Sequence, residues 1–254
     1  MAAHVDLFQF RFSPFNEKAR WMLDIKRVPH KRTSVLPGPH VPKIKKLTGQ
    51  TATPVLRIDG QVIAGSARIL DELERRYPDP MLMPADEAGR RRVLEIQKRF
   101  DEDWTPRMRR AVLTTLMDEP DYWARTFGAD HSRLKQRLYA LVLPLARGLV
   151  RKGNGITGPE SVADGFTAAK EALDFVEQET KATGYLVGDR FTLADLVAAS
   201  SLAFCCDPPH PDMERPIPHC RGVAAWILAW HDHVGVRWVK TMYENHRPQP
   251  MAQT

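Results

Sequence analysis

The spacing of apolar residues predicts a strand, a helix and a second strand at the start of the chain. Residues 4 to 10, HVDLFQF, alternate in the way that is typical of a short strand. From Pro14 onward, apolar residues recur at helical spacing until Val28, where the following proline ends the pattern. Residues 30 to 36 are β-branched in character, and a loop rich in proline and glycine then leads into the short segment PKIKKLTG.

A hairpin and a helix are predicted next. Residues 53 to 65, TPVLRIDGQVIAG, contain two short apolar runs joined by Asp59-Gly60, which is a strong hairpin signal. Ser66 then precedes the periodic segment ARILDELERRY and is predicted to cap its helix. The predicted order is βαβ, a connecting helix, then ββα.

From Asp86 onward, strand patterns nearly vanish and helical periodicity takes over. The segment YPDPMLMPADEAG at 77–89 is the predicted linker. Residues 1–84 are therefore predicted to form a small α/β domain, and residues 85–254 an all-helical domain. Long helices are predicted over residues 88–117, 131–151, 160–182, 193–205 and 221–243.

Composition and charge restrict the classes of partner. The chain has 254 residues, of which 43% are hydrophobic and 27% are charged, as expected of a globular protein. Its formal net charge of +6 lies entirely in the first 84 residues, which hold 14 Lys and Arg against 8 Asp and Glu. These basic residues are scattered and show no zinc-finger or RNA-binding spacing, so a small anionic ligand is favoured over nucleic acid.

Cysteines and apolar runs indicate a cytoplasmic protein without a membrane partner. The three cysteines, Cys205, Cys206 and Cys220, form no disulfide framework. The most apolar later stretch, 138–150, is broken by Pro144 and Arg147 and is too short to span a membrane. No zinc-type spacing links the cysteines to the nearby histidines, so no metal site is predicted.

Three turns in the first domain could carry chemistry. Ser13-Pro14 has the composition of an N-cap followed by a first helical residue, which needs no function to explain it. Thr53-Pro54 opens a predicted strand, and Gly65-Ser66 opens a predicted helix whose free N–H groups suit a carboxylate. Each turn has an ordinary structural explanation when taken alone, but the combination is particular.

The chain resembles the cytosolic glutathione transferase family. SPFNEKARWML resembles the strand-to-helix turn that carries a catalytic serine in the tau-type branch, and TPVL looks like the family's cis-proline segment. GSARILDELERRYPDP is similar to the segment that opens the third helix, and GYLVGDRFTLADLVAAS at 184–200 is similar to the capping-box segment of the helical domain. The resemblance implies a thioredoxin-like domain followed by an all-helical domain, and a homodimer.

The resemblance also implies roles for individual residues. Ser13 would donate a hydrogen bond to the glutathione thiolate, which is then transferred to a small hydrophobic electrophile. The other residues implied to bind glutathione, as cosubstrate, are Phe15, Asn16, Lys45, Thr53, Pro54, Gly65 and Ser66. Among them, Thr53 would pair with the cysteinyl backbone, Ser66 would hold the γ-glutamyl carboxylate, and Lys45 would contact the glycine carboxylate.

Two departures from the family pattern leave alternatives open. Gly65 stands where the family usually has an acidic or amide residue, so the contact to the γ-glutamyl ammonium must come from elsewhere or be missing. Asn16 also has an amide donor, so either Ser13 or Asn16 could face the sulfur. A non-catalytic relative that uses the same fold for ligand carriage or protein contact is therefore the alternative to an enzyme.

Three features of the helical domain are predicted to serve folding or solvation and not chemistry. Thr192 and Asp195 form a predicted capping box, with Phe191 and Leu196 placed as a hydrophobic staple. Core packing is favoured over an electrophile pocket for Trp104, Tyr122, Trp123 and Phe127. A solvated helix face is predicted for Arg107, Arg109 and Arg110, which are offset by nearby acidic residues.

Overall fold

A computed structural model describes residues 4–250 and shows a four-stranded mixed sheet followed by a helical domain. The strands are β1 (Val5–Gln9), β2 (Lys31–Ser34), β3 (Val55–Ile58) and β4 (Gln61–Ala64). Their spatial order is β2-β1-β3-β4, with β1 and β2 parallel and the other two pairs antiparallel. This order confirms the predicted thioredoxin-like arrangement.

Helices cover both faces of the sheet. α1 (Pro14–Ile25) and α3 (Ser66–Arg76) pack together on one face, over Leu7 and Leu56. α2 (Val41–Thr48) covers the other face, where its buried Ile44 meets Phe8 and Val55. Successive residues of a strand point to opposite faces, so β1 and β3 place Leu7 and Leu56 on one side and Phe8 and Val55 on the other, and they form the centre of the sheet.

The helical domain begins with a long, interrupted helix. α4 (Glu87–Arg99) runs through a π-helical segment (Phe100–Trp104) directly into α5 (Thr105–Leu116). The helix Leu193–Leu202, α9, begins at the predicted capping box, which is confirmed, with Asp195 accepting hydrogen bonds from the backbone and hydroxyl of Thr192, both at 2.8 Å. The remaining helices are α6 (Pro120–Phe127), α7 (Arg133–Asn154), α8 (Glu160–Glu179), α9 (Leu193–Leu202), α10 (Arg221–Trp230) and α11 (Val234–His246).

Two predictions for this domain are wrong. α6 lies between the predicted helices 88–117 and 131–151, where no helix is predicted, and Pro120 is well tolerated in its first turn. The predicted helix 221–243 is interrupted at residues 231–233, so His231 and His233 do not lie within one helix. His233 instead begins α11, where its Nδ1 accepts a hydrogen bond from the amide of Gly235 at 3.0 Å.

The two domains share one hydrophobic core. Trp21 of α1 is fully buried and packs against Phe191 and Tyr243, with ring centroids 5.8 and 4.7 Å apart. Its indole N–H donates to the carbonyl of His246 at 3.0 Å. The helix that follows Ser13 is therefore held from both domains. Across residues 4–250, no helix is long and apolar enough to cross a membrane.

Candidate active site

The register of the sheet brings three turns together at one edge. Phe8 of β1 pairs with Val55 of β3, which pairs with Ala64 of β4. β1 therefore ends where β3 begins and β4 ends. The turns at Ser13, at Thr53-Pro54 and at Gly65 all lie next to this edge.

Ser13 occupies the N-cap of α1, as predicted, but its side chain does not cap the helix. Its backbone is extended, with φ −161° and ψ 129°, and Pro14 is the first helical residue. The carbonyl of Ser13 accepts the first helical hydrogen bond, from the amide of Glu17 at 2.9 Å. Among residues 4–250 the half-buried hydroxyl has no hydrogen-bond partner, so it can donate to a ligand.

Asn16 ties the first turn of α1 to the proline turn. The Thr53-Pro54 peptide bond is cis, and the Asn16 Nδ2 donates to the Thr53 Oγ1 at 3.2 Å. Asn16 is fully buried, and its Oδ1 has no partner in the described chain. The backbone amide and carbonyl of Thr53 likewise have no partner within residues 4–250, which leaves them able to pair with an extended peptide.

The structure corrects the predicted cap of α3. Gly65, not Ser66, occupies the N-cap, and Ser66 is the buried first residue of the helix. Gly65 has φ +94°, a conformation that favours glycine, and its amide donates to the carbonyl of Pro54 at 3.0 Å. The backbone conformation thus gives a physical reason for glycine here. The N–H groups at the start of α3 remain available to an anion.

Lys45 and Phe15 flank the turns. Lys45 is exposed on α2, and its ammonium group has no partner within the described chain. Phe15 is half-buried in the first turn of α1 and is contacted by two cations. The Lys18 Nζ lies 4.6 Å from the centroid of its ring, and the Arg109 guanidinium carbon lies 5.7 Å from it.

These two cations were not predicted as site residues. Lys18 is fully buried and forms an ion pair with Asp101 of the π-helical segment. Burial lowers the pKa of Lys18, and Asp101 opposes that shift. Only the packing of α1 against the helical domain brings Lys18 and Asp101 together, so no local pattern could have found this pair.

Arg109 contradicts the prediction of a solvated face. Arg107 and Arg110 do pair with Asp164, at 2.8 and 3.2 Å, but Arg109 forms no ion pair or hydrogen bond with any described residue. Its Nε is buried, and burial, assisted by Arg110, lowers the pKa of Arg109. Arg109 is thus an unpaired cation next to the turn that carries Ser13.

The four aromatic residues weighed between core packing and an electrophile pocket lie in the hydrophobic core. Trp104, Tyr122, Trp123 and Phe127 are all nearly fully buried within the main hydrophobic cluster.

The three cysteines are free and buried. Among the described residues, Asp174, Glu177 and His233 could together face a metal ion, but the Lys170 Nζ already occupies Asp174 at 2.6 Å.

Two family profiles match the sequence. Residues 7–81 match the profile described as glutathione S-transferase, N-terminal domain, and residues 138–226 match the corresponding C-terminal domain. The chain belongs to the glutathione S-transferase family. The profiles do not resolve the branch of the family. Membership supports glutathione as the cosubstrate.

Individual proteins of known structure or sequence give further comparisons. The chain is 33% identical over 131 residues to a maleylpyruvate isomerase from Ralstonia sp, and this match spans 50% of the chain and 58% of that protein. A β-etherase from Sphingobium sp. has the same fold, with a TM-score of 0.59 and 19% identity over 96% of this chain and 99% of that one. A maleylacetoacetate isomerase from Anaeromyxobacter dehalogenans, solved with dicarboxyethyl glutathione, has a TM-score of 0.53 and 17% identity over 100% and 98% of the two chains.

Proposed function

We propose that this protein is a glutathione transferase that binds glutathione at the sheet edge and activates its thiol with Ser13. The observation that carries the proposal is the unpartnered Ser13 hydroxyl at the N-terminus of α1. The unpaired backbone of Thr53 would bind the cysteinyl unit. The N–H groups at the start of α3 and the exposed Lys45 would bind the two carboxylates of the tripeptide.

The energetics of this arrangement suit a thiolate. A cysteine thiol has a pKa of about 8.5, and lowering it by one unit requires about 1.4 kcal/mol. A hydrogen bond to a charged group supplies about 1.5 to 3 kcal/mol, and a helix N-terminus adds about 0.3 to 1 kcal/mol. Ser13 and α1 together are therefore sufficient to bring the thiol pKa near neutrality. No separate general base is needed.

Burial supports Ser13 over Asn16 as the donor to sulfur. Asn16 has no exposed surface, and its amide is already engaged with Thr53. Its proposed role is to hold the proline turn against α1, which positions the backbone of Thr53. Ser13 is half-buried and has no competing partner within the described chain.

A glutathione-dependent isomerase is a second candidate, favoured by Arg109. An unpaired, partly buried guanidinium over the ring of Phe15, in the first turn of the helix that follows Ser13, suits a second substrate that carries a carboxylate. In such a reaction the thiolate adds to a conjugated carbon–carbon double bond, the resulting single bond rotates, and elimination regenerates both the double bond and the thiolate. The isomerase from Ralstonia sp is consistent with this chemistry. Dimerisation and the cytoplasmic location remain predictions.

The experiment compares wild type, Ser13→Ala and Asn16→Ser for binding to immobilised glutathione and for turnover of a neutral chloronitrobenzene. Ultraviolet absorbance of the bound thiolate against pH reports the thiol pKa directly. We expect Ser13→Ala to raise this pKa by about 1 to 2 units and to lower kcat by roughly 10- to 100-fold, because one charge-assisted hydrogen bond is lost. Asn16→Ser should change affinity for glutathione more than the thiol pKa.

Three results would separate the candidates. An unchanged thiol pKa in Ser13→Ala would exclude Ser13 as the donor. Retention on glutathione without turnover of the chloronitrobenzene or of an unsaturated dicarboxylate would support the non-catalytic alternative. Absence of both retention and turnover would contradict the proposed function.

A further inference from the structure

The loop that precedes α2 is tied to the helical domain by a short chain of hydrogen bonds. Tyr139 of α7 is buried, and its hydroxyl donates to the carbonyl of Pro37 at 2.6 Å. The indole N–H of Trp123, on α6, donates to the same hydroxyl oxygen at 3.1 Å. Burial raises the pKa of Tyr139, so the hydroxyl keeps the proton that it donates. The position of this loop is therefore set from the second domain.

His40 follows in the same loop and reaches a different one. It lies at the N-cap position of α2, but its side chain does not cap the helix. Its Nδ1 accepts a hydrogen bond from the amide of Gly38 at 3.0 Å, so Nε2 carries the proton of the neutral ring and donates to the carbonyl of Thr51 at 2.8 Å. Burial lowers the pKa of His40, with the carbonyls of Thr51 and Leu36 opposing the shift, so the ring is neutral at neutral pH.

The ring of His40 is also packed in place. It meets the ring of Phe10 edge to face, with centroids 4.7 Å apart. Phe10 lies three residues before Ser13 and in turn meets the ring of Phe127, on α6, with centroids 6.3 Å apart. The imidazole is thus fixed by a hydrogen bond within its own loop and by an aromatic contact on the strand side of the Ser13 turn.

Residues 51–53, which lead to the cis proline, are held at both ends by side chains from outside their loop. Asn16 donates to the threonine hydroxyl at the last position at 3.2 Å, and His40 donates to the carbonyl at the first position at 2.8 Å. Within the described part of the chain, the other side-chain hydrogen bonds to this segment come from Gln50, which belongs to the same loop. His40 is therefore one of two anchors that fix the segment to the rest of the fold.

We propose that His40 is a positioning residue for glutathione, holding residues 51–53 so that the backbone of Thr53 faces the cysteinyl unit. This inference rests on the proposed function. The first two residues of the segment are exposed, so without the anchor the segment would be ordered only when glutathione binds, and that entropic cost weakens binding. Ser13 lies on a different turn and keeps its place at the start of α1, so activation of the thiol does not depend on this anchor.

Calorimetric titration of the full chain with glutathione tests the role of His40. In His40→Gln the amide nitrogen lies about as far along the side chain as Nε2 and can donate to Thr51, whereas in His40→Asn it reaches only as far as Nδ1. We expect His40→Ala and His40→Asn to raise the Kd for glutathione by roughly tenfold, and His40→Gln to stay within about threefold of the wild type. In all three variants, kcat at saturating glutathione and the pKa of the bound thiol should stay close to the wild-type values.

His233→Ala is the matched control. His233 has the same arrangement on α11, where Nδ1 accepts from the amide of Gly235 at 3.0 Å and Nε2 faces Asp174 at 3.1 Å. Its removal costs the same kinds of hydrogen bond at a place that holds none of the proposed glutathione contacts. A general loss of stability should therefore appear in both alanine variants, whereas weaker binding of glutathione is expected only in His40→Ala.

A shortened ligand separates positioning from direct contact. γ-Glutamylcysteine lacks the glycine carboxylate that Lys45 is proposed to bind. We expect His40→Ala to weaken binding of γ-glutamylcysteine by the same factor as binding of glutathione, because the cysteinyl unit is present in both. Lys45→Ala should weaken binding of glutathione alone. If the loss in His40→Ala disappears with the shortened ligand, His40 acts on the glycine end and the proposal is overturned.

Further results would also overturn the role of His40. These are wild-type affinity in His40→Ala, rescue by His40→Asn but not by His40→Gln, or a rise in the thiol pKa as large as that in Ser13→Ala. Absence of glutathione binding by the wild type would instead contradict the proposed function, and this inference with it. Binding by the wild type with unchanged affinity in His40→Ala overturns only the inference.

Discussion

At the scale of single residues, the position of Ser13 can be predicted but its hydrogen bonding cannot. Ser-Pro at the start of a periodic segment correctly indicates an N-cap and a first helical residue. An N-cap serine usually accepts a hydrogen bond from the helix, yet the Ser13 hydroxyl does not. The departure from the ordinary cap, visible only in the structure, makes Ser13 a candidate for binding sulfur.

Gly65 and Arg109 show why sequence alone misjudges other site residues. In the sequence, Gly65 stands where the family usually has an acidic or amide residue. Its φ of +94° gives a physical reason for glycine at this position. Arg109 has the same neighbours in sequence as Arg107 and Arg110, and only the direction of its side chain separates it from them. Side-chain pairing across domains is not encoded in local spacing.

The unpaired guanidinium gives a prediction at this scale. Arg109→Gln should lower kcat/KM for an unsaturated dicarboxylate by roughly 10- to 100-fold, because a charge-assisted hydrogen bond to a carboxylate is worth about 1.5 to 3 kcal/mol. Turnover of a neutral chloronitrobenzene should change little. Steady-state kinetics with both electrophiles check the prediction.

Arg110→Gln is the matched control, since Arg110 is adjacent in sequence but pairs with Asp164. Equal losses for both electrophiles in Arg109→Gln would show that Arg109 supports the fold instead of recognising an anion.

At the scale of elements, the first domain follows from its sequence more completely than the second. Short alternating runs, Asp59-Gly60 and the prolines predict every strand and helix around the sheet, because local turn chemistry marks the breaks between them, although α3 begins one residue earlier than a Ser66 cap predicts. The break between α10 and α11 has no such local signal. Apolar periodicity continues through WHDHVGVRW, and the cap formed by His233 appears only when the chain is folded.

The capping box of α9 yields a prediction about pH. Burial raises the pKa of Asp195 to about 6, although hydrogen bonds from Leu186 and Thr192 oppose the shift. Between about pH 6 and pH 4 the folded state therefore holds a proton that the unfolded state has lost, and lowering the pH through this window stabilises the fold by up to about 3 kcal/mol.

Denaturant unfolding of wild type and Asp195→Asn at a series of pH values measures this contribution. We expect the variant to be less stable at every pH, because the acceptor for two backbone amides is replaced by an amide group. The stability difference in favour of the wild type should grow as the pH falls from neutral to about 4.5. Parallel pH curves for the two proteins would contradict the shifted pKa.

At the scale of the whole molecule, a buried ionic network joins α1, which follows Ser13, to the helical domain. Arg247 contacts Glu17 at 2.8 Å and Asp24 at 2.7 Å, both on α1, and Asp212 at 2.6 Å. Arg20 and Arg32 complete a set of three buried cations and three buried carboxylates, and the less buried Arg11 also pairs with Asp212 at 3.2 Å. Burial raises the pKa of Asp212, but Arg20, Arg247 and Arg32 outweigh it and hold that pKa well below its usual range.

No pattern in the sequence could indicate this network, because Arg247 lies 230 residues from Glu17. The ring contact between Trp21 and Tyr243 likewise joins residues that are far apart in the sequence. Fold class and domain order follow from local periodicity, whereas the connection between domains depends on pairs that only the folded chain brings together.

Removing Arg247, which pairs with all three carboxylates of the network, should lower the stability of the protein. Arg247→Ala leaves the three buried carboxylates with only Arg20 and Arg32 as buried cations, so we expect a loss of about 3 to 5 kcal/mol in the free energy of unfolding. Arg237→Ala on α11, an exposed arginine whose guanidinium donates to a backbone carbonyl, should cost less than about 0.5 kcal/mol. Denaturant unfolding at neutral pH compares them, and equal effects would show that the network contributes little.

The network also has a consequence for the order in which the protein is made. During translation α1 emerges among the first segments, yet Asp212 and Arg247, which complete its buried charge balance, are synthesised about two hundred residues later. N-terminal domains generally fold first on the ribosome. Here the helix that carries the proposed catalytic serine reaches its final environment only after residue 247 has been added, so a nascent chain halted earlier would hold Ser13 on an incompletely packed helix.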